Sequence, residues 1–191
     1  ENKIVERGVT LILTSIYEQD FSKQSFGFRP NRNCHQALKE LNDLIMFKPV
    51  NHVVDADIKG FFDNVSHDLL MDFLKIRIKD GTLLYLIEKF LKAGYVDNGL
   101  LMETEKGTPQ GSILSPILAN IFLHYVLDEW FESTVKRHVH GFCEIVRYAD
   151  DFVCVAQYER DAERIEKALK NRFNRFSLEI HPEKSRRISF G

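Results

Sequence analysis

Two adjacent aspartates, Asp150 and Asp151, are the residues whose type and setting most directly suggest chemistry. They separate two β-prone runs within residues 144–156, which predicts a hairpin with its turn at the acidic pair. Aspartate also suits turns for conformational reasons alone, so a purely structural pair is the alternative. Because both runs are strongly apolar, we expect a buried base to the turn, where two like charges raise each other's pKa. A divalent cation would relieve that repulsion if a third carboxylate completed its site.

Asp57 is the predicted third carboxylate, since it ends an apolar strand beginning at residue 53. Asp55 and Asp63 compete for this role, and Asp55 shares the strand face of Asp57 by the two-residue repeat. Gly60 and two phenylalanines follow Asp57, which favours a shaped pocket beside it. Three aspartates form an oxygen-only site suited to Mg²⁺, with Mn²⁺ as a substitute. Two such ions, roughly 3.5–4 Å apart, can activate a 3′ hydroxyl and stabilise a leaving pyrophosphate.

The composition is that of a globular chain without a membrane anchor. Of its 191 residues 44% are hydrophobic and 28% charged, and no apolar run is long enough to span a bilayer. The three cysteines form no C-x-x-C pair and are odd in number, which favours a reduced, cytoplasmic setting. His138, His140 and Cys143 lie close in sequence, but no fourth ligand follows at zinc-site spacing, which disfavours zinc.

The net charge of −2 counts against a nucleic-acid-binding protein, which is usually basic. Local basic patches nevertheless occur, including Arg29 with Arg32 in an aromatic-rich loop, and Lys184 with two arginines that follow it. Each patch by itself is more typical of a solvated face than of a phosphate site. Arg29 is the hardest to explain by packing, so Arg29 and Arg32 are the candidate nucleic-acid contacts.

The hydrophobic pattern predicts the elements that must position these residues. Helices are expected at 3–18, 34–47, 67–79, 82–93, 115–136 and 159–174. Strands are expected at 53–58, 100–105, 178–180 and 187–190, in addition to the acidic hairpin. The order indicates an α+β architecture, with a mostly antiparallel sheet and helices packed on one face.

Three motifs resemble reverse transcriptases in both order and spacing. They are D-I-K-G-F-F-D (57–63), G-T-P-Q-G-S-I-L-S-P-I-L-A-N (107–120) and Y-A-D-D (148–151). S-F-G-F-R-P (25–30) and L-E-I-H-P-E-K-S (178–185) make the chain similar to the reverse transcriptase domain of bacterial group II intron-encoded proteins, also called maturases. Members of that family often have glycine after G-F-R-P, where this chain has Asn31. Because asparagine tolerates positive φ, we expect the loop to keep its geometry.

The resemblance implies a metal site and a nucleotide pocket. Asp57, Asp150 and Asp151 match the metal-binding catalytic aspartates, and the backbone carbonyl of Ile58 is expected to face a metal. Lys184 matches the lysine proposed to protonate the leaving pyrophosphate, with a solvated turn lysine as the alternative.

The implied nucleotide pocket involves two motifs. Phe62 matches the side chain that stacks under the sugar and excludes a 2′ hydroxyl, with Phe61 as the runner-up. Gln110 and Gly111 match the loop that lines the nucleotide and template pocket. Their alternative is a plain turn at the start of a helix.

The resemblance further implies a reverse transcriptase fingers and palm. Residues 1–50 would be a fingers-like helical segment and 51–191 mainly palm, with 81–106 as a further contribution to the fingers. Thumb and RNA-binding regions are absent from the 191 residues, so we expect this fragment to synthesise poorly alone. Apolar surface exposed where a thumb would dock favours self-association as a homodimer.

The implied activity is RNA-directed DNA synthesis by two-metal nucleotidyl transfer, with intron RNA as template, a DNA primer and dNTPs. One alternative is an RNA-binding splicing cofactor with incidental polymerase activity. Another is a reverse transcriptase from a defence or CRISPR locus. A nucleotide cyclase on a similar palm is disfavoured, because no guanine-specific acidic loop replaces G-T-P-Q-G-S.

Overall fold

The computed structural model describes residues 2–93, 95–97, 100–102, 106–108 and 112–190. The chain forms two compact units, each assembled from two separated stretches. We call residues 1–20 and 60–122 the helical unit, and residues 21–59 and 123–191 the sheet unit. These units do not coincide with the predicted fingers and palm segments, whose functional division stays a prediction.

The elements follow the predicted order closely. In chain order they are α1 (Asn2–Tyr17), α2 (Cys34–Phe47), β1 (His52–Ala56), α3 (Phe61–Asn64), α4 (His67–Arg77), α5 (Gly81–Lys92), β2 (Tyr95–Asp97), β3 (Leu100–Met102), α6 (Ser115–Leu123), two π-helical turns (His124–Asp128 and Phe131–Val135), α7 (Lys136–His138), β4 (Cys143–Tyr148), β5 (Asp151–Ala156), α8 (Glu159–Asn174) and β6 (Arg186–Ser189). Among the helices in the described ranges, none combines the length and apolarity needed to cross a membrane.

The helical unit is held together by apolar side chains from α1, α4, α5 and α6. Leu13, Leu70, Ile87 and Phe122 are each inaccessible to solvent. The rings of Phe73 and Phe122 meet edge to face at a centroid separation of 5.5 Å. Burying four such helical stripes together removes their apolar area from water, which is the main driving force for this arrangement.

The sheet unit is built on a four-stranded antiparallel sheet in the order β4-β5-β1-β6. Val146 of β4 lies opposite Val153 of β5, and Ala56 of β1 lies opposite Phe152. The hairpin predicted at residues 144–156 is therefore confirmed, and β1 pairs directly with its second strand. This pairing brings the end of β1 to the acidic turn.

Helices cover both faces of this sheet, which corrects the expectation that they pack on one face. Phe173 of α8 contacts Phe152 on one face, with ring centroids 5.8 Å apart. On the other face, Leu44 of α2 joins a buried cluster with Val146 and Val155. The physical reason lies in β5, whose run Phe152–Ala156 is apolar at every position and so requires burial on both faces.

Two local predictions differ from the structure. The segment predicted as one α-helix over 115–136 is helical, but its hydrogen bonding is π-type at 124–128 and 131–135. The strand predicted at 178–180 is reduced to an isolated bridge between Ile180 and Ile58. Apolar periodicity cannot distinguish i+4 from i+5 bonding, because either pattern keeps the same stripe buried over one turn.

Candidate active site

The acidic turn joins β4 to β5 through Ala149 and Asp150, with Tyr148 opposite Asp151 in the ladder. Ala149 has φ +58°, in the left-handed region that non-glycine residues adopt infrequently. Such a conformation persists only where neighbouring contacts hold it in place. Contacts with neighbouring residues therefore determine the backbone conformation beside the two aspartates.

Asp57 lies across from the acidic turn. Ala56 is opposite Phe152, so continuing this antiparallel register by one residue places Asp57 opposite Asp151. Residues opposite each other project from the same face of a sheet, and alternation puts Asp55 on that face too. On its other side, Asp57 accepts a backbone hydrogen bond at its carbonyl from the N–H of His181, at 2.8 Å.

The competing carboxylate Asp55 has a cation as its neighbour. Arg186 of β6 is its partner in the ladder, and the guanidinium Nε lies 3.5 Å from Asp55 Oδ2. Lys184, two residues earlier, places its Nζ 3.3 Å from Asp57 Oδ2. The predicted general-acid lysine therefore lies beside a predicted metal ligand, and its role stays a prediction.

The electrostatics of the turn are those of crowded carboxylates. Partial burial raises the pKa of Asp150 above its ordinary value of 3.8, and the charges of Asp151 and Asp57 raise that pKa further. Burial likewise raises the pKa of Asp151, with added repulsion from Asp57 and Asp55 and relief from Lys184. The direction matches the sequence expectation, although burial contributes more to both shifts than like-charge repulsion.

The three aspartates offer the donor chemistry of a Mg²⁺ site. Their ligand atoms are all anionic oxygens, which a hard cation prefers, and their mutual repulsion is what such a cation would neutralise. Within the described part of the chain, however, no three His, Cys, Asp or Glu side chains lie close enough together to hold a metal as they stand. The residues fit the ion by charge and chemistry, and side-chain movement is needed to close a shared site.

Replacing Asp150 or Asp151 with asparagine is expected to raise the melting temperature at pH 7 in EDTA. Both carboxyls have higher pKa values in the folded protein than in the unfolded chain. Their contribution to the free energy of unfolding is therefore greatest below pH 3.8, and it is lost as pH rises through the folded pKa. Asparagine mimics the protonated form, so the gain should shrink as pH falls towards 4. Thermal unfolding across pH measures this. Asp55→Asn is the control, because it removes the ion pair with Arg186 along with the repulsion on Asp151, so its gain should be smaller. A lower melting temperature for both turn variants would contradict the electrostatic account.

A loop before α2 clamps the acidic hairpin through its backbone. The N–H of Phe26 donates to the carbonyl of Arg147 at 2.8 Å, and the N–H of Arg147 donates to the carbonyl of Gln24 at 2.9 Å. Gly27 packs against the turn so closely that a Cβ there would lie 2.2 Å from the backbone nitrogen of Ala149. The motif S-F-G-F-R-P therefore extends the sheet edge and contacts the residue before Asp150.

Arg29 and Arg32, the predicted nucleic-acid contacts, both engage this loop. The buried Arg29 guanidinium donates through Nη1 to the carbonyls of Ser22 and Ser25, at 2.6 and 2.7 Å, and lies over the ring of Phe21. Arg32 lies over the ring of Phe26. These contacts organise the loop, and the assignment of either arginine to nucleic acid stays a prediction.

In the helical unit, the two predicted nucleotide-pocket motifs meet. The N–H of Thr108 donates to the carbonyl of Phe62 at 2.7 Å. Gly107 has φ +88°, and a Cβ there would lie 3.0 Å from the carbonyl oxygen of Asp63. Gln110 and Gly111 lie outside the described residues. Phe61 is buried against Phe122, whereas Phe62 is partly exposed.

Comparison with known proteins places these features in a family. Residues 1–189 match the family described as reverse transcriptase (RNA-dependent DNA polymerase). The chain belongs to the reverse transcriptase family. The resemblance read from the three motifs is therefore confirmed. In this reverse transcriptase, Ile58 is buried and its backbone forms an isolated antiparallel bridge with Ile180. The metal-facing role of its carbonyl stays a prediction.

Similar proteins include intron-encoded ones. Group II intron-encoded protein LtrA from Lactococcus lactis subsp. cremoris is 49% identical over 123 residues, which cover 64% of this chain and 20% of LtrA. Protein YkfC from Escherichia coli (strain K12) is 33% identical, covering 91% of this chain and 55% of YkfC. The reverse transcriptase chain thus spans a fifth to about half of the length of these relatives.

A solved telomerase shares the fold. The telomerase from Candida albicans, in complex with a TWJ fragment of telomeric RNA, superposes with a TM-score of 0.73 over 95% of this chain and 33% of that chain. The sequence identity is 15%, so the likeness shows the fold alone. It confirms the predicted α+β class with a palm-like antiparallel sheet.

Sequence reasoning missed three residues that shape the turn. Gly27 makes room for the backbone of Ala149. Arg147 and Asp128 form a fully buried ion pair. A signal for Arg147 was available, because a charged residue within an apolar strand requires a buried partner.

Proposed function

We propose that this chain carries the polymerase site of an RNA-directed DNA polymerase encoded by a group II intron. Its template is intron RNA, its primer is DNA, and its substrates are dNTPs. The observation that carries the proposal is the pairing of β1 with β5, which ends beside the acidic turn, where the charge of Asp57 raises the pKa of both turn carboxyls. The 49% identity to an intron-encoded protein supports the intron assignment.

Asp57, Asp150 and Asp151 would hold Mg²⁺ or Mn²⁺, together with the backbone carbonyl of Ile58. When bound, two such ions supply charge neutralisation at the attacking 3′ hydroxyl and at the leaving pyrophosphate. The carboxylates orient the ions and the primer end, while Lys184 stands beside Asp57 with a proton available to the departing oxygen. Positioning and electrostatic stabilisation are what phosphoryl transfer requires from a protein.

Phe62 is the proposed barrier to ribonucleotides. Phe62 is partly exposed, whereas Phe61 is 1% exposed and belongs to the core. The hydrogen bond from Thr108 to the carbonyl of Phe62 supports a shared pocket with the loop that carries Gln110 and Gly111.

Phe62→Ala is expected to reduce discrimination against rNTPs by ~10-fold or more, because removing the ring opens space for the 2′ hydroxyl. Single-nucleotide extension with dNTP and rNTP measures this ratio. Phe61→Ala is the matched control, and it should instead lower the free energy of unfolding by about 3–5 kcal/mol, the cost of emptying a core site. Relaxed sugar selection in Phe61→Ala, with none in Phe62→Ala, would reverse the assignment.

The experiment that tests the proposed function is primer extension by the full-length protein. An RNA template of defined sequence, a DNA primer, Mg²⁺ and single dNTPs are supplied in turn. We expect incorporation of the complementary nucleotide opposite each template base. Absence of templated extension by a folded protein would contradict the proposal.

The second candidate function is RNA binding that assists intron splicing. The similarity to an intron-encoded protein favours it, and the two functions are compatible. Splicing of a cognate intron by an Asp150→Asn/Asp151→Asn protein separates them, because a splicing cofactor needs its RNA surface and not its carboxylates. If the variant still assists splicing but no longer extends a primer, the two functions depend on different surfaces of the protein.

A further inference from the structure

The side chain of Arg147 is wholly buried beneath the acidic turn. Its Nε donates to Asp128 Oδ1 at 2.8 Å, and its Nη2 donates to Asp128 Oδ2 at 2.5 Å, so the pair is bidentate. Both side chains are 2% exposed or less. A planar guanidinium held by both oxygens of one carboxylate has a fixed direction, which a lysine ammonium would lack.

The remaining arm of this guanidinium reaches the turn itself. Nη1 donates to the carbonyl oxygen of Ala149 at 2.7 Å. Ala149 is the residue with φ +58°, and its carbonyl belongs to the peptide that leads into Asp150. The backbone N–H and carbonyl of Arg147 are themselves bonded to Gln24 and Phe26. Hydrogen bonds therefore hold both the backbone and the guanidinium of Arg147 in place. The guanidinium in turn restrains the peptide that precedes the two aspartates.

The partner carboxylate comes from an unusual helix segment. Asp128 is the last residue of the first π-helical turn, in which the N–H of Glu129 bonds to the carbonyl of His124. A π-helical turn widens the helix by one residue per turn and is frequent at functional sites. Here it carries a buried carboxylate in bidentate contact with the guanidinium.

We propose that Arg147 and Asp128 are positioning residues for the acidic turn. Arg147 acts through the Ala149 carbonyl to set the direction of the Asp150 and Asp151 carboxylates, and Asp128 holds the guanidinium in the required plane. The inference rests on the proposed function, because binding metal ions requires the two carboxylates to have a fixed direction. A buried ion pair contributes little net stability compared with apolar residues of similar volume, which favours a role in geometry.

The test compares Arg147→Lys and Asp128→Asn in the full-length protein. Each is studied below its measured melting temperature. The readouts are kcat per active molecule, affinity for primer–template, and Mn²⁺ binding by EPR without nucleic acid. Glu144→Gln is the matched control, because Glu144 lies in β4 with Arg147 but away from the turn, where it pairs with Lys136 of α7.

The expected result is a roughly 10- to 100-fold lower kcat and a similarly weaker Mn²⁺ affinity in both variants, the range typical of residues that orient metal ligands. Primer–template affinity should be unchanged, and the control should match wild type. A folded variant with wild-type kcat and Mn²⁺ affinity, altered only in melting temperature, would overturn the proposal.

Two further measurements keep the proposal falsifiable. If the single variants fail to fold, Arg147→Met/Asp128→Leu replaces the pair with apolar side chains and removes the bond to Ala149. Weakened Mn²⁺ binding in this folded protein supports positioning, and wild-type binding overturns it. If wild type binds Mn²⁺ but extends no primer, the proposed function fails, while the comparison of Mn²⁺ affinities still decides the role of Arg147.

Discussion

Asp57→Asn should lower the rate of RNA-templated nucleotide addition by ~10³-fold or more, whereas Asp55→Asn should change it only a few-fold. Charge stabilisation by a bound metal contributes several kcal/mol, and each ~1.4 kcal/mol is a factor of ten in rate. Asp57 raises the pKa of both Asp150 and Asp151, as expected for groups that share a cation. Asp55 also raises the pKa of Asp151, but not that of Asp150, and it pairs with Arg186 of β6.

Asp55→Asn is a close control for Asp57→Asn, because the two aspartates have similar surroundings. Asp55 lies in β1 and Asp57 directly follows it, two residues apart, and both are half-buried. Single-turnover extension at saturating dNTP is the measurement, with thermal unfolding run alongside it. Equal losses in both variants would show that general charge on this face matters and would contradict a specific role for Asp57.

Gly27→Ala should reduce both stability and polymerase activity, although Gly27 bears no functional group. A Cβ at this position would lie 2.2 Å from the Ala149 backbone nitrogen, a distance that requires the backbone to move. Overpacking costs about 1–3 kcal/mol, and this contact is at the upper end because the neighbour is backbone. A shift of ~1 Å at reacting groups costs about 10²-fold in rate. Chemical denaturation and single-turnover extension measure the two losses.

Gly8→Ala is the matched control for this substitution. Gly8 lies in α1 with no other atom near the position of a new Cβ. Alanine there should stabilise the helix by about 0.5–1 kcal/mol and leave extension unchanged. Wild-type stability and rate for Gly27→Ala would show that the loop does not restrain the turn.

The elements and the acidic hairpin could be predicted from the sequence because they follow from local patterns. Asn33 precedes the helix predicted at 34–47, and its side chain accepts from the N–H of Gln36 in a capping box. Asn31 was expected to tolerate positive φ, and it has φ +59°. The position of Asp57 near the acidic turn could be predicted because it depends only on which strands pair. Its role as the third carboxylate stays a prediction.

The contacts that hold the turn could not be predicted, because they join residues that are far apart in the sequence. Gly27 and Ala149 are far apart in sequence, and nothing local to either indicates a close backbone contact. The partner of Arg147 is provided by a π-helical turn at residues 124–128, whose i+5 bonding leaves no mark on apolar spacing. Covering both sheet faces likewise required knowing that α2 returns to pack against β4.

Primer extension by the full-length protein, beside an Asp150→Asn/Asp151→Asn variant, tests the central claim most directly. Both proteins are given the same RNA template, DNA primer, Mg²⁺ and dNTPs, and their RNA affinities are measured in parallel. We predict templated DNA synthesis by wild type, and loss of synthesis with retained RNA binding in the variant. Synthesis by the variant at the wild-type rate would contradict the assignment of these carboxylates to the chemistry.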